Sequence, residues 1–397
     1  QDDNIKLKNF PFPDPVFYPG FLLKYNGTDA IVSKYGYLED KQLPPVGAKF
    51  LNCYGETLAV LMRANVFPYY GNQHLQASWY KAVPRMLVNL QNPFVKWSKV
   101  CVFQVGKKKI TYRLKWYDTA GHTLRWYFKI VAHPYQPNFD IYKKSPNIVW
   151  INWPSFSPKN NEELFWMKKV VSSMPFFRND HAVVLDLRGD SGGYIQWGEL
   201  LLKSLYGNAY YDWALAQSAP LYRQYRVSEY AIDAAVIDAE KERDMFGFNS
   251  SIYKAAEKKV NDLKAAFERG DQLFPHHAPI YVKSVSYAIP SSLFKGRLIL
   301  VVDGRCSNAC LNFIALAKKF PTVELYGKAT SADTFYTQSD KPIFLDDGVT
   351  LHFGYAIERR RKRANNQPYY PDKFYPYNID NTSTLEKWVK KAIIRSS

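Results

Sequence analysis

The chain has 397 residues, of which 47% are hydrophobic and 22% charged, and a formal net charge of +17. This is longer than one typical domain and leaves room for a sizeable core, so two or three units are expected. No apolar run approaches the roughly 20 residues that cross a bilayer, and none has the layout of a signal peptide.

The positive charge invites a nucleic-acid reading, but the lysines and arginines are scattered apart from Arg359-Arg360-Arg361-Lys362-Arg363, and no helix-turn-helix, finger or ribonucleoprotein signature accompanies them. That run reads as a solvated basic rim, and nucleic acid is disfavoured as a partner. Four cysteines are too few for a disulfide scaffold. Cys306 and Cys310 have a spacing that could bridge or ligate metal, but no second Cys or His pair completes a zinc set, and buried free thiols are the preferred reading; no metal and no cofactor is expected. A Cys53–Cys101 link stays open. The start at Gln1 suits a processed, exported protein or a trimmed one, and we read the chain as secreted or periplasmic.

In chain order, residues 1–20 are rich in Pro and Phe and read as an extended arm. Short strands are expected at Phe21–Tyr25, Ala30–Ser33 and Phe50–Cys53, with turns at Asn26-Gly27 and Pro44-Pro45-Val46-Gly47 and a helix near Thr57–Ala64. This order resembles the small peptide-binding PDZ-like modules. A second helical region runs through GNQHLQASWYKA and breaks before Pro84. Residues 99–132 alternate as a β-meander, which closes a β-rich N-terminal region over 21–135.

From residue 145 the pattern becomes α/β. NIVWINW is a strand and NNEELFWMKKVVSSM a helix. Ala182–Leu187 is an apolar strand that runs into Arg188-Gly189-Asp190-Ser191-Gly192-Gly193 and then a helix. Between Tyr222 and Leu273 the composition turns helical and charged, and two helices joined near Gly247-Phe248-Asn249 form a cap, or else a packing or dimer element. A second strand-turn-helix unit follows: Leu298–Val302 breaks at Asp303-Gly304, passes through Arg305-Cys306-Ser307-Asn308-Ala309-Cys310 and restarts as an apolar helix. Such turns place polar residues at the carboxyl ends of parallel strands, where a nucleophile and a helix N-terminal oxyanion site coincide. A plain connection of small residues is the alternative. Val349–Ile357 reads as a strand, and the tail ends in an amphipathic helix capped by Thr382 or Ser383.

The pair VVLDLRGDSGGY and LILVVDGRCSNACLNFIALAKKF…VELYGKATSAD resembles the C-terminal processing peptidases, or tail-specific proteases, the superfamily that includes the tricorn core and interphotoreceptor retinoid-binding protein. The likeness covers roughly residues 149–372 and includes Tyr370-Pro371-Asp372. It implies an α/β, crotonase-like core over 145–397 with a PDZ-like module upstream and a helical insertion at 222–273. The implied activity is serine-type hydrolysis of peptide bonds in exported polypeptides, with a polypeptide substrate or peptide ligand as partner. The backbone N–H of Gly192, beside Gly193, and that of Asn308 or Ala309 would form the oxyanion hole.

In bacterial members the nucleophilic serine stands nineteen residues before the glycine of the Gly-x-x-Thr strand end, and a lysine base six after it. Here those positions are Asn308 and Asp333. Three accounts stay open: Ser307 has taken over with Asp333 or His74 as base, the chain is a natural pseudopeptidase that still holds a peptide or an apolar ligand, or Asn308 is an introduced replacement that silences the enzyme.

Overall fold

The computed structural model describes residues 5–8, 16–35, 42–120, 123, 131, 137–217, 222–277, 289–338, 343–344 and 350–395. The distal part of the expected meander and most of the N-terminal arm lie outside these residues.

In the N-terminal region, strands Phe21–Tyr25, Ala30–Tyr35, Lys49–Cys53, Val100–Val105 and Lys108–Arg113 follow one another in an antiparallel sheet. Phe21, Leu23, Phe50, Leu61, Met62 and Phe103 fill its interior. Cys53 and Cys101 sit opposite each other on paired strands and are joined by a disulfide. The helix expected near 57–64 is Leu58–Asn65. The second helical region yields α1 (Gln76–Ala82), which passes into a 3₁₀ turn at Val83–Arg85, where Pro84 has no N–H to lose.

The larger unit is built on a six-stranded sheet: β1 (Asp140–Ser145), β2 (Ile148–Asn152), β3 (Ala182–Asp186), β4 (Arg297–Val302), β5 (Val323–Gly327) and β6 (Lys373–Phe374), adjacent in that order. Only the β1–β2 pair is antiparallel. Buried on both faces, β3 and β4 carry continuous Val, Leu and Ile rather than an alternating pattern. Alternate residues still go to opposite sides. Val183, Leu185, Leu298 and Leu300 join the core formed with α2 (Asn161–Ser173), α3 (Gln196–Tyr206) and, after the β4 turn, a helix at Ala309–Ala317, while Val184, Ile299 and Val301 face the carboxyl-terminal helix through Leu385, Val389 and Ile393.

The inserted helices are α4 (Glu229–Phe246) and α5 (Ser251–Glu268), separated at Gly247, whose φ of 91° favours glycine. They meet through Ala231, Ala234, Ala235 and Ala239 on one side and Ala256, Val260 and Leu263 on the other. The sequence concealed their base: Tyr222–Arg226 and Leu273–His277 pair antiparallel, and the first also pairs with Thr350–Arg359. Helix α4 docks on α3 by stacking Phe246 against Trp197 at 4.7 Å and by a 2.8 Å hydrogen bond from Gln196 Nε2 to Glu242 Oε1.

Three local expectations are corrected. Cys306 and Cys310 form a disulfide rather than free thiols, because the turn brings their Cα atoms to 5.4 Å. Arg361 and Arg363 are not part of a solvated rim: their side chains are 7% and 5% exposed, and both reach Asp333 at 2.6 Å. We call the helix Ala309–Ala317 α6 and the helix Thr382–Arg395 α7; the cap of α7 is Asn381, whose Oδ1 accepts from Thr384 N, rather than Thr382 or Ser383.

Candidate active site

Neighbouring strands β3 and β4 end in the same device. Two residues beyond each strand's aspartate an arginine folds back on it: Arg188 Nη2 donates to Asp186 at 2.6 Å, and Arg305 Nε donates to Asp303 at 2.7 Å while its Nη2 reaches the same carboxylate. All four side chains are buried. Burial pushes the Asp303 carboxyl up, but the charge and hydrogen bonds of Arg305 override this and hold it below the usual carboxylate range. Arg188 also donates to Ile379 O and Thr382 Oγ1, and Arg305 to Asp380. Asp303 Oδ1 accepts from Gly189 N, so the two loops are tied together.

Beyond Arg305 the chain enters a tight elbow. The Cys306–Cys310 bridge spans it, and α6 begins at Ala309. Asn308 stands at its apex with φ 50° and ψ −119°, exposed, its side chain making no cap hydrogen bond. Non-glycine residues adopt such a backbone only where the surroundings enforce it. Here the glycine loop presses on it: a Cβ built on Gly192 would fall 2.5 Å from Asn308 Cβ and 3.0 Å from Ala309 N. Gly193 is equally confined, since its Cβ would fall 2.3 Å from the Phe156 carbonyl carbon. The glycine pair is thus required by close backbone approach.

The expected oxyanion donors need one correction. Gly192 N–H donates to Asp190 Oδ1 at 2.7 Å and is engaged inside the protein. Among the described residues, neither Gly193 N–H nor Ala309 N–H has an acceptor. Asp190, which sequence reasoning passed over, is fully buried; burial pushes its carboxyl well above the usual range, and its Oδ2 has no hydrogen-bond partner among the described residues. Burial thus disfavours the ionised form of Asp190, against the Gly192 N–H that supports it.

Of the candidate catalytic side chains, Ser307 and Asn308 meet the glycine loop, whereas Asp333 faces two arginines. Ser307 Oγ donates to the Ser191 carbonyl at 3.0 Å, and its N–H points to Asp190 O. Asp333 is clamped between Arg361 and Arg363, with its carboxylate directed at the two guanidinium groups. His74, at the approach to α1, lines a cleft of about 230 Å³ with Gln76, Ala329, Thr330, Asn366 and Tyr370. This cleft adjoins the elbow, because Ser331 N donates to Cys306 O and the side chain of Tyr80 in α1 lies over Gly304. The Gly327 strand end is also built for close contact: its Cβ would fall 2.2 Å from Val302 O. Asp372, of the Tyr-Pro-Asp stretch, exchanges hydrogen bonds with the Leu325 backbone in β5.

The expected α/β class of fold is the one observed, a mostly parallel sheet with a strained elbow after one strand and a glycine pair after its neighbour. Among solved structures it is shared with mature CPAF complexed with lactacystin, at TM-score 0.58 and 12% identity over 96% of this chain and 84% of that one. A crystal structure of mature CPAF gives TM-score 0.57, and that of a serine-to-alanine CPAF mutant 0.58 with 97% of this chain covered. At this identity the likeness to these structures shows the fold alone. No protein-family model and no curated protein sequence matches the chain.

Proposed function

We propose that this chain uses a crotonase-like peptidase fold with a PDZ-like N-terminal module to hold a polypeptide segment, and that its elbow is silent in serine-hydrolase chemistry. The observation that carries the reading is that Asn308 stands at the apex of the elbow, its Cβ against the backbone of Gly192. An asparagine amide has no hydroxyl to become the alkoxide that attacks a carbonyl. Takeover by Ser307 has less support, because its hydroxyl donates to a main-chain carbonyl and Asp333 faces two arginines. The N–H groups of Gly193 and Ala309 remain as donors for a peptide carbonyl, and the His74 cleft supplies room for the chain that carries it. Two disulfides suit an oxidising, extracytoplasmic setting.

A fluorophosphonate probe tests the silence. The native chain and Ser307→Ala are expected to stay unlabelled and Asn308→Ser to label, with His74 as the ring that activates the restored hydroxyl. Labelling of the native chain that disappears in Ser307→Ala sinks the proposal in favour of a shifted nucleophile. With a denatured protein as bait, the native chain is expected to retain it uncut and Asn308→Ser to cut it; no retention by the native chain ends the holding half of the reading.

A further inference from the structure

The same elbow places an asparagine in the geometry of its own cyclisation, and we propose that Asn308 is a self-modification site that converts through a succinimide to aspartate and isoaspartate. The tetrahedral Cα sets Cβ a third of a turn from N about the Cα–C bond, so a ψ of −119° brings Ala309 N nearly into eclipse with Asn308 Cβ. That is the arrangement of a five-membered ring of Ala309 N, the Asn308 carbonyl carbon, Cα, Cβ and Cγ.

Three further features favour the reaction. Ala309 N–H, at the first turn of α6, has no acceptor among the described residues, so no hydrogen bond is lost when it gives up its proton. The Asn308 amide makes no cap hydrogen bond and is exposed, so rotation about χ1 meets no tether. The following residue is alanine, with a small side chain beside the ring. Ordinarily a chain must climb into this sparsely populated backbone region before it cyclises. Here the Asp303–Arg305 pair, the Cys306–Cys310 bridge and the glycine loop impose it in advance.

The chemistry needs only water. Ala309 N loses its proton to solvent base and attacks Asn308 Cγ; the Cγ–Nδ2 bond breaks, and the departing nitrogen takes up a proton and leaves as ammonia. Water then opens the imide. Addition at Cγ gives aspartate with the main chain unchanged, and addition at the former main-chain carbonyl gives isoaspartate, with the chain rerouted through the side chain. Either product puts a carboxylate beside the Gly193 and Ala309 N–H groups. The inference is independent of whether the cleft holds a peptide.

The test is a time course of the whole protein at mildly alkaline pH, folded or in concentrated urea, read by peptide mapping with hydroxylamine capture of the imide. Asn26-Gly27 is the internal reference. Its glycine leaves the following nitrogen open, but in the fold Asn26 Oδ1 accepts from Thr28 N and Asp29 N. Folding is expected to speed conversion at Asn308 by about tenfold or more, in line with a pre-organised near-attack geometry, and to slow it at Asn26. Isoaspartate or a hydroxamate at Asn308 in the folded protein, with that reversal of order, supports the proposal. A folded-state rate at Asn308 no greater than in urea overturns it, and so does conversion to aspartate with neither isoaspartate nor hydroxamate.

Discussion

The ends of β3 and β4 begin alike and finish differently. Each has an aspartate, one intervening residue and an arginine that closes back on it and reaches the segment before α7. After that shared anchor, the β3 loop turns through Asp190 to a glycine pair, and the β4 loop turns through a disulfide to Asn308. The difference teaches where rigidity comes from. Buried ion pairs fix the first few atoms of both loops, and what each then presents is decided by very short-range contacts: an N–H on a buried carboxyl in one, a strained apex in the other.

Removing an anchor should have the largest effect. Arg188→Ala strips a guanidinium from Asp186 and from the buried Ile379 carbonyl, and a loss of about 3–5 kcal/mol in urea unfolding is expected. Arg305→Ala should cost less. Asp303 keeps the N–H groups of Arg305 and Gly189, and Asp380, at 22% side-chain exposure, can be rehydrated. Equal losses would show that the two anchors are equivalent despite their different surroundings.

A smaller effect should follow from the acid in the β3 loop. Because burial raises the Asp190 carboxyl in the folded state, its contribution to stability is full below the unfolded carboxylate value of about 4 and is lost as pH rises toward and through the raised folded value. Asp190→Asn cannot ionise. Its urea midpoint is therefore expected to gain on the native protein's as pH rises and to converge with it in acid; parallel profiles would mean that burial does not raise the Asp190 carboxyl.

The smallest effect concerns the contact between α4 and α3. Burial pushes Glu242 up to about 7, against the lowering influence of Lys259. Its stabilisation is present below the usual glutamate range and fades as pH passes through about 7. Once the intrinsic pH dependence of amide exchange is divided out, protection of α4 should fall over that interval in the native protein and stay level in Glu242→Gln.

Much of this was legible in the sequence. The continuous Val/Leu/Ile runs fixed β3 and β4, and counting back from Gly327 placed Asn308 at the elbow. The repeated Asp-x-Arg was in plain view, though its pairing was not anticipated. Other features were hidden because spacing carries no contact information. Cys306 and Cys310 meet only once the turn forms, and Arg361 and Arg363 resemble any charged run until Asp333 closes on them. Tyr222–Arg226 and Leu273–His277 lack strand-like alternation, and what makes them strands is each other and Thr350–Arg359.

The partners of Arg188 and Arg305 in residues 379–382 also put the molecule in order of time. Synthesis delivers β3, the glycine loop, the elbow and α6 long before Ile379 leaves the ribosome. Until then both arginines lack those contacts, and the two loops have only each other. The site is therefore completed by a stretch made well after α6, and a nascent chain carries every residue of the elbow before it has the elbow's finished shape.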